Sequence, residues 1–387
     1  MNKKTDTSKN NMHSGEPERM GRKHAPVTAR LVALRLLRHI LDKRQSFDQA
    51  QQFFKTDIAK LETRDIAFAR SLVLNALRYK GQLDAVIESF LEKELKRDAD
   101  MVMHLLRLGA VQLLCLKTPP HAAIGELLNL LDFKSEFGPV RRFKALINAV
   151  LRRVYNEGEE IFLSQDAAKL NMPDWLFQIW EEDYGIEEAS NIATANLNEA
   201  MIDIFPRHQG QVLDEETFIS LPGGGYRLPS GADLASIDGF IEGKWWVQDI
   251  ASSLPLQMSS DLIGGFAGKK IYDLCAAPGG KTVQLASAGG NVVAVDISKN
   301  RLQRLEENLD RLDLDAEIVV SDVAKWEPEA GADFVLLDAP CSATGTMRRH
   351  PDLGHIKSQD DISGLSRSQA RLLQNAWRLT KTGGYLL

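Results

Sequence analysis

The chain is 387 residues long, 44% hydrophobic and 26% charged, with a net charge of −6. Single hydrophobic cores stop growing at ~250–300 residues, so this length implies two or three domains. No apolar run nears the ~20 residues that cross a bilayer, and residues 1–23 are polar without a secretory apolar stretch. That excludes a helical membrane span and predicts a cytoplasmic protein with a disordered tail over 1–23.

From about Val27 to Val154 the periodicity is helical, with core stripes such as Leu31, Leu34, Ile40 and Leu41, and Leu72, Val73, Ala76 and Leu77. Pro119-Pro120 should end the helix that carries Met101 to Leu116, because the residue before a proline is pushed out of the α region. Phe143, Ile147, Val150 and Val154 form a further apolar face, and Arg141, Arg142, Lys144, Arg152 and Arg153 cluster along the same segment. Residues 1–156 hold 28 Lys and Arg against 17 Asp and Glu, a balance of +11, whereas residues 157–387 hold 19 against 36, or −17. Such asymmetry suits a polyanion partner, and the basic segment is the local candidate for RNA. A solvated helical surface competes with that reading, since cations alternate with acids in Glu92-Lys93-Glu94-Leu95-Lys96-Arg97-Asp98. The expected unit is an all-α domain over 24–156.

Residues 157–240 mix a predicted helix at Trp175–Tyr184, a short apolar run at Met201–Phe205 and a glycine-rich turn at Pro222-Gly223-Gly224-Gly225. They read as a small α+β subdomain. Strand and helix patterns then alternate: Lys270–Leu274, Thr282–Ser287, Asn291–Ile297, Arg301–Leu312, Glu317–Val320, Asp333–Leu337 and Ser366–Leu379. That alternation predicts a Rossmann-like α/β domain with a parallel sheet over 241–387, so the fold class is multidomain.

The loop after the first of these strands is Cys275-Ala276-Ala277-Pro278-Gly279-Gly280-Lys281-Thr282. A P-loop would need glycine where Cys275 stands, and Pro278 removes an N–H from a loop that should wrap phosphate with N–H groups. The competing ligand is S-adenosylmethionine, which has no phosphates and needs close backbone approach at Gly279 and Gly280. Asp296, about 20 residues on, is placed to accept from ribose hydroxyls; Asp322 could accept from an adenine amino group, and Asp338 ends the fourth strand. Each aspartate alone could equally be a cap or turn former, but successive C-terminal strand ends are where such sheets bind ligands.

Cys115, Cys275 and Cys341 are scattered, and no paired-cysteine or histidine spacing supports a disulfide framework or a metal site. Asp338-Ala339-Pro340-Cys341-Ser342 puts a thiol after an apolar strand, which reads either as a satisfied core cysteine or as an active-site thiol. Cys341 would be the natural nucleophile on these residues alone. Lys281 is either a holder of base and cofactor or a surface charge at a helix start.

Asp273-Leu-Cys-Ala-Ala-Pro-Gly-Gly-Lys-Thr282 and Leu337-Asp-Ala-Pro-Cys-Ser-Ala-Thr-Gly345 resemble the cofactor and catalytic motifs of RNA cytosine-C5 methyltransferases of the NOL1/NOP2/Sun type. Gln248-Asp249-Ile250-Ala251-Ser252 and Arg348-Arg349-His350-Pro351-Asp352 are also similar to that family. The helical part, with Arg64-Asp65 and the basic segment, resembles the NusB-like domain of the ribosomal RsmB/Sun subgroup. The resemblance implies a monomer that takes S-adenosylmethionine and methylates carbon 5 of a 16S rRNA cytosine, on free RNA or early in assembly. It also implies that the nucleophile is a second cysteine in a Thr-Cys-Ser motif after the next strand, while Cys341 assists product release. Residues 381–387, Lys-Thr-Gly-Gly-Tyr-Leu-Leu, would be the turn into that strand and its start, so a C-terminally truncated, incomplete sheet and an inactive chain are expected. A non-catalytic RNA-binding protein and a P-loop NTPase are the alternatives.

Overall fold

The computed structural model of the chain describes residues 25–93, 95, 100–208, 218–229, 232 and 234–387; the tail expected at 1–23 lies outside them. The chain packs as two compact units, Met1–Asn171 and Met172–Leu387.

The described part of the first unit is helical. Its centre is the helix Asp100–Leu114, whose residues Val102, Leu105, Leu106, Leu108, Val111 and Leu113 are all buried. A helix apolar on every side must be enclosed, and here Ala29–Lys43, Thr63–Arg78, Lys80–Ser89, Pro120–Leu130 and Lys144–Ser164 surround it. Gly109 permits a close crossing with the helix Lys144–Ser164, since a Cβ there would stand 2.5 Å from Leu151 Cδ1. The central helix ends at Leu114, and Pro120 opens the next at its first turn, where a missing N–H costs nothing. The basic segment is not one helix. Arg141–Phe143 form a 3₁₀ turn, and the α-helix Lys144–Ser164 then runs through position 156. Asn171 closes the unit by accepting from Gln82 N at 3.1 Å and donating to Gln82 Oε1 at 2.9 Å.

The second unit begins with the helices Asp174–Tyr184 and Ile186–Leu197. Four short strands follow: β1 (Asp203–Pro206), β2 (Ile219–Ser220), β3 (Tyr226–Arg227) and β4 (Trp245–Val247), in the antiparallel order β2-β3-β1-β4. This small sheet therefore takes in residues past 240. Ile204, Tyr226, Leu228 and Trp245 form its core, and buried Asp203 holds Arg227 through two bonds of 2.7 and 3.0 Å.

The larger sheet contains β5 (Lys270–Leu274), β6 (Asn291–Asp296), β7 (Glu317–Val320), β8 (Ala332–Leu337) and β9 (Thr380–Leu386), in the order β7-β6-β5-β8-β9. All the neighbours pair in parallel. Side chains alternate between two covered faces: Ile271, Phe334 and Leu336 pack on one, Tyr272, Leu274 and Val335 on the other. The helix Lys299–Leu312 lays Leu302, Leu305, Leu309 and Leu312 on one stripe, and Gln359–Leu379 covers the opposite face with Leu372, Ala376 and Leu379. Each predicted strand from Lys270 to Leu337 stands within a residue of its expected bounds. Residues 380–386 form β9 with an irregular register against β8, where Gly383 adopts φ 79°. Among the described residues, no helix is long and apolar enough to cross a membrane.

Candidate active site

The strand order reverses beside β5: the chain steps outward to β6 and β7, then returns to place β8 on β5's other side. Loops leaving the C-terminal ends of β5 and β8 diverge there and open a crevice, the usual ligand position in such sheets. Cys275, Asp296, Asp322 and Asp338 all stand at that edge, because Leu274 is in register with Val295 and Leu337, and Asp296 with Val320.

The β5 loop turns sharply. Cys275 has φ 63° and Gly279 φ 109°, and the helix Gly280–Ser287 begins directly after. Ala276 N donates to Val295 O at 3.2 Å and Ala277 N to Asp296 Oδ2 at 3.1 Å, while Arg301 donates to Ala277 O. Asp296 is buried and also accepts from Ser298 N through Oδ1 at 2.8 Å. Each of its oxygens thus holds one backbone N–H and keeps a further lone pair for a ligand hydroxyl. Gly279 has Leu305 behind it, whereas Gly280 faces Gln248 at ordinary contact distance. Pro278 is exposed at the loop's tip, and Ala276 and Ala277 are buried beneath it.

Lys281 joins the two sides of the crevice. Its Nζ lies 2.7 Å from Asp338 Oδ2, linking the helix start after β5 to the end of β8. Asp338 N donates to Leu274 O at 3.2 Å, which fixes where the β8 loop departs. Cys341 is exposed on that loop, and its sulfur accepts from Ala343 N at 3.3 Å, so it is not a core thiol. Gln369 donates to Pro340 O at 3.0 Å. Asp322 folds back on its own loop, accepting from Ala324 N at 3.0 Å.

Two groups are shifted by burial. Asp273, inside β5, is fully buried; desolvation pushes its carboxyl up to about 7 against the pull of the Thr282 hydroxyl, which donates to Oδ2 at 2.5 Å. Its Oδ1 has no partner among the described residues. Desolvation, then Asp296, Asp273 and Asp338, push the Cys275 thiol up to about 12, so it stays protonated and is no nucleophile. The sign of the Asp273 effect is testable. Its folded value lies above its unfolded one, so the unfolded chain holds fewer protons between about pH 4 and 7 and stability falls across that window, flat above it. Asp273→Asn keeps an acceptor for Thr282 and should flatten that slope, gaining at most ~4 kcal/mol over wild type at pH 8 in denaturant titrations.

Three further residues at this edge carried no assigned role in the sequence. Ile297, directly after Asp296, is 72% exposed and offers an apolar surface where a flat base can pack. Arg301 holds the β5 loop, as given above. Arg349 ties the Cys341 loop to the small sheet's layer: it pairs with Asp249 at 2.6 Å and donates to Met201 O at 3.3 Å, while Arg348 donates to Glu199 O at 3.2 Å. The apolar residue at a strand end and the adjacent arginines were visible as letters; their partners were not. Arg349→Ala should cost ~1 kcal/mol and quicken alkylation of Cys341 by iodoacetamide, measured by mass spectrometry.

In the first unit, two of the five predicted RNA contacts are ion-paired. Lys144 pairs with Asp132 at 2.8 Å, and Arg153 pairs with Glu157 and stacks over Phe90. Arg141, Arg142 and Arg152 are exposed, with Arg152 about 12 Å along the helix from Lys144.

Comparison with known proteins follows the same division. Residues 266–387 match the family described as 16S rRNA methyltransferase RsmB/F, and residues 27–156 match the NusB family. Ribosomal RNA small subunit methyltransferase B of Pseudomonas putida is 35% identical over 385 residues, covering 93% of this chain and 85% of the relative. The protein of that name from Escherichia coli K12 is 33% identical over 347 residues, covering 85% and 79%. The crystal structure of PH0851 superposes with a TM-score of 0.70 at 24% identity, over 94% of this chain and 86% of that one, a likeness of fold.

Proposed function

This chain belongs to the RsmB/F family of 16S rRNA methyltransferases, and from that premise we propose that it binds S-adenosylmethionine and serves methylation of cytosine carbon 5 in 16S rRNA. The observation that carries the reading is the Lys281–Asp338 pair at 2.7 Å, which joins the cofactor loop to the loop bearing Cys341.

The residues present fit a cationic, phosphate-free cofactor. Buried Asp296 sets a carboxylate against the cofactor loop, which suits a sulfonium and an ammonium better than a nucleotide triphosphate. That carboxylate and the P-loop departures at Cys275 and Pro278 argue against an NTPase. Asp296 would accept from the ribose hydroxyls, Ile297 would pack the adenine, and the backbone at Gly279 and Gly280 would admit the methionine portion. Asp322 would meet the adenine edge once released from Ala324. When bound, this cofactor supplies an electrophilic methyl group.

Carbon 5 of cytosine is a poor nucleophile until a thiolate adds at carbon 6 and makes an enamine. Asp338 would hydrogen-bond the ring, with Lys281 holding its carboxylate in position. Exposed Cys341 is assigned to product release: as a thiolate it would take the carbon 5 proton, the C–H electrons would restore the carbon 5–carbon 6 double bond, and the attacking thiolate would leave carbon 6 with its bonding pair. The target base must be unpaired or flipped out, at a cost of a few kcal/mol. Protein-free 16S rRNA or an early assembly intermediate, met by a monomer, is the substrate on this reading.

We expect residues 1–387 to bind both cofactor and RNA. Tritiated methyl transfer to protein-free 16S rRNA, mapped by position, is the test. Incorporation at carbon 5 that Cys341→Ala abolishes would make Cys341 the nucleophile, and incorporation on ribose or an exocyclic amine would overturn the carbon 5 assignment.

A further inference from the structure

We propose that His39, Phe53 and Phe54 in the first unit form a stacking platform for an unpaired base of single-stranded RNA, with Lys43, Arg44 and Lys55 meeting the flanking phosphates. The inference rests on RNA being the ligand of this chain and assigns that ligand to a surface outside the basic segment 141–153.

Phe53 is 67% exposed at the end of the helix Phe47–Phe53, yet its ring is held. It stacks on His39 with centroids 4.6 Å apart and planes at 28°, and meets Phe54 edge-on at 4.9 Å. His39 is itself fixed, edge-on to Phe54 at 5.4 Å and bonded to Gln45 Oε1 at 2.7 Å. An aromatic face that is backed, oriented and open to solvent loses little entropy on receiving another ring. Stacking tolerates any base, because every base has a π-face.

The charges around the platform select the partner. His39 and Lys43 are four residues apart on the helix Ala29–Lys43 and share a face; Arg44 caps that helix, and Lys55 follows Phe54 directly. Lys43, Arg44 and Lys55 are exposed and have no ion-pair partner among the described residues. The nearby acids are engaged elsewhere: Asp42 with Arg38 and His104, Asp57 with Arg35 and Lys60. Asp48 stands more than a helical turn from Phe53. Gln52, Lys55 and Thr56, the sequence neighbours of Phe53 and Phe54, are polar and exposed, which suits a hydrophilic strand better than an apolar protein helix. A duplex would hide its base faces from this ring, so the fitting ligand is a single strand or loop.

The test uses the whole chain and a fluorescein-labelled, mixed-sequence single-stranded RNA of about 12 nucleotides, with the same strand annealed as a duplex, read by anisotropy. Phe53→Ala should weaken single-strand binding about five- to a hundredfold, leave the duplex nearly unaffected and keep the melting temperature, while Phe53→Trp retains affinity. A joint Arg141→Ala and Arg142→Ala variant reports on general RNA binding. Phe53→Ala within twofold of wild type, with the arginine variant weakened, would overturn the platform and leave the RNA reading standing. Failure of wild type to bind either RNA would overturn both. A change in sedimentation on Phe53→Ala, with RNA affinity unaltered, would assign the ring to a protein contact and also overturn the proposal.

Discussion

Asp296→Ala is expected to weaken S-adenosylmethionine binding by at least ~100-fold in isothermal titration calorimetry. The carboxylate spans the site: Oδ2 holds Ala277 N in the cofactor loop, and Oδ1 holds Ser298 N in the turn after β6. Hydrogen bonds to a charged group contribute ~1.5–3 kcal/mol each, and both N–H groups would lose their acceptor. The proposed ribose bonds are lost in the same substitution. Asp296→Asn should also be costly, because an amide nitrogen would then face one of the two N–H donors. An unchanged dissociation constant in both variants would remove Asp296 from the cofactor site.

Gly279→Ala carries the second large effect, ~3 kcal/mol of destabilisation together with loss of the melting-temperature rise that the cofactor induces. Gly279 has φ 109°, and an added Cβ would stand 2.3 Å from Leu305 Cδ1 and 3.0 Å from Leu305 Cβ. The penalty combines a backbone conformation that L residues avoid with overpacking of the core beneath. Gly280→Ala should be near neutral, since its new Cβ meets nothing closer than Gln248 Cγ at 3.6 Å. Adding Leu305→Ala to Gly279→Ala would relieve the clash but not the backbone strain, and would empty a core position at ~2–5 kcal/mol. Thermal unfolding with and without cofactor measures all three. Equal effects at the two glycines would refute the assigned packing.

The pair Gly279-Gly280 shows where sequence reading stops. Two glycines before Lys-Thr announce a loop that needs close backbone approach, but their letters do not tell which one is structurally required. Leu305, 26 residues later in another helix, decides it. Asp273 is similar. A single acid in Lys270–Leu274 looks like a strand residue among apolar ones, and only coverage of both sheet faces makes it a fully buried carboxyl with a value near 7. The basic segment was legible as composition, yet Asp132 and Glu157 engage part of its charge.

By itself, the sequence determined the helical stripes of the first part and the order of strands and helices from Lys270 to Leu379. The helical stripes, the alternation of strands and helices, the aspartates at strand ends and the turn at Pro340-Cys341 depend on residues within a few positions of one another, and the chain expresses them locally. The tertiary structure decided which groups meet. The Lys281–Asp338 bridge spans 57 positions and the Arg349–Asp249 tie spans 100, and no local period encodes such distances. Burial and partnership set the charge state and strain of a side chain, and both arise only when remote segments pack. Cys341 was legible as a candidate from its neighbours; that it is an exposed thiol and not a core one is a property of the fold.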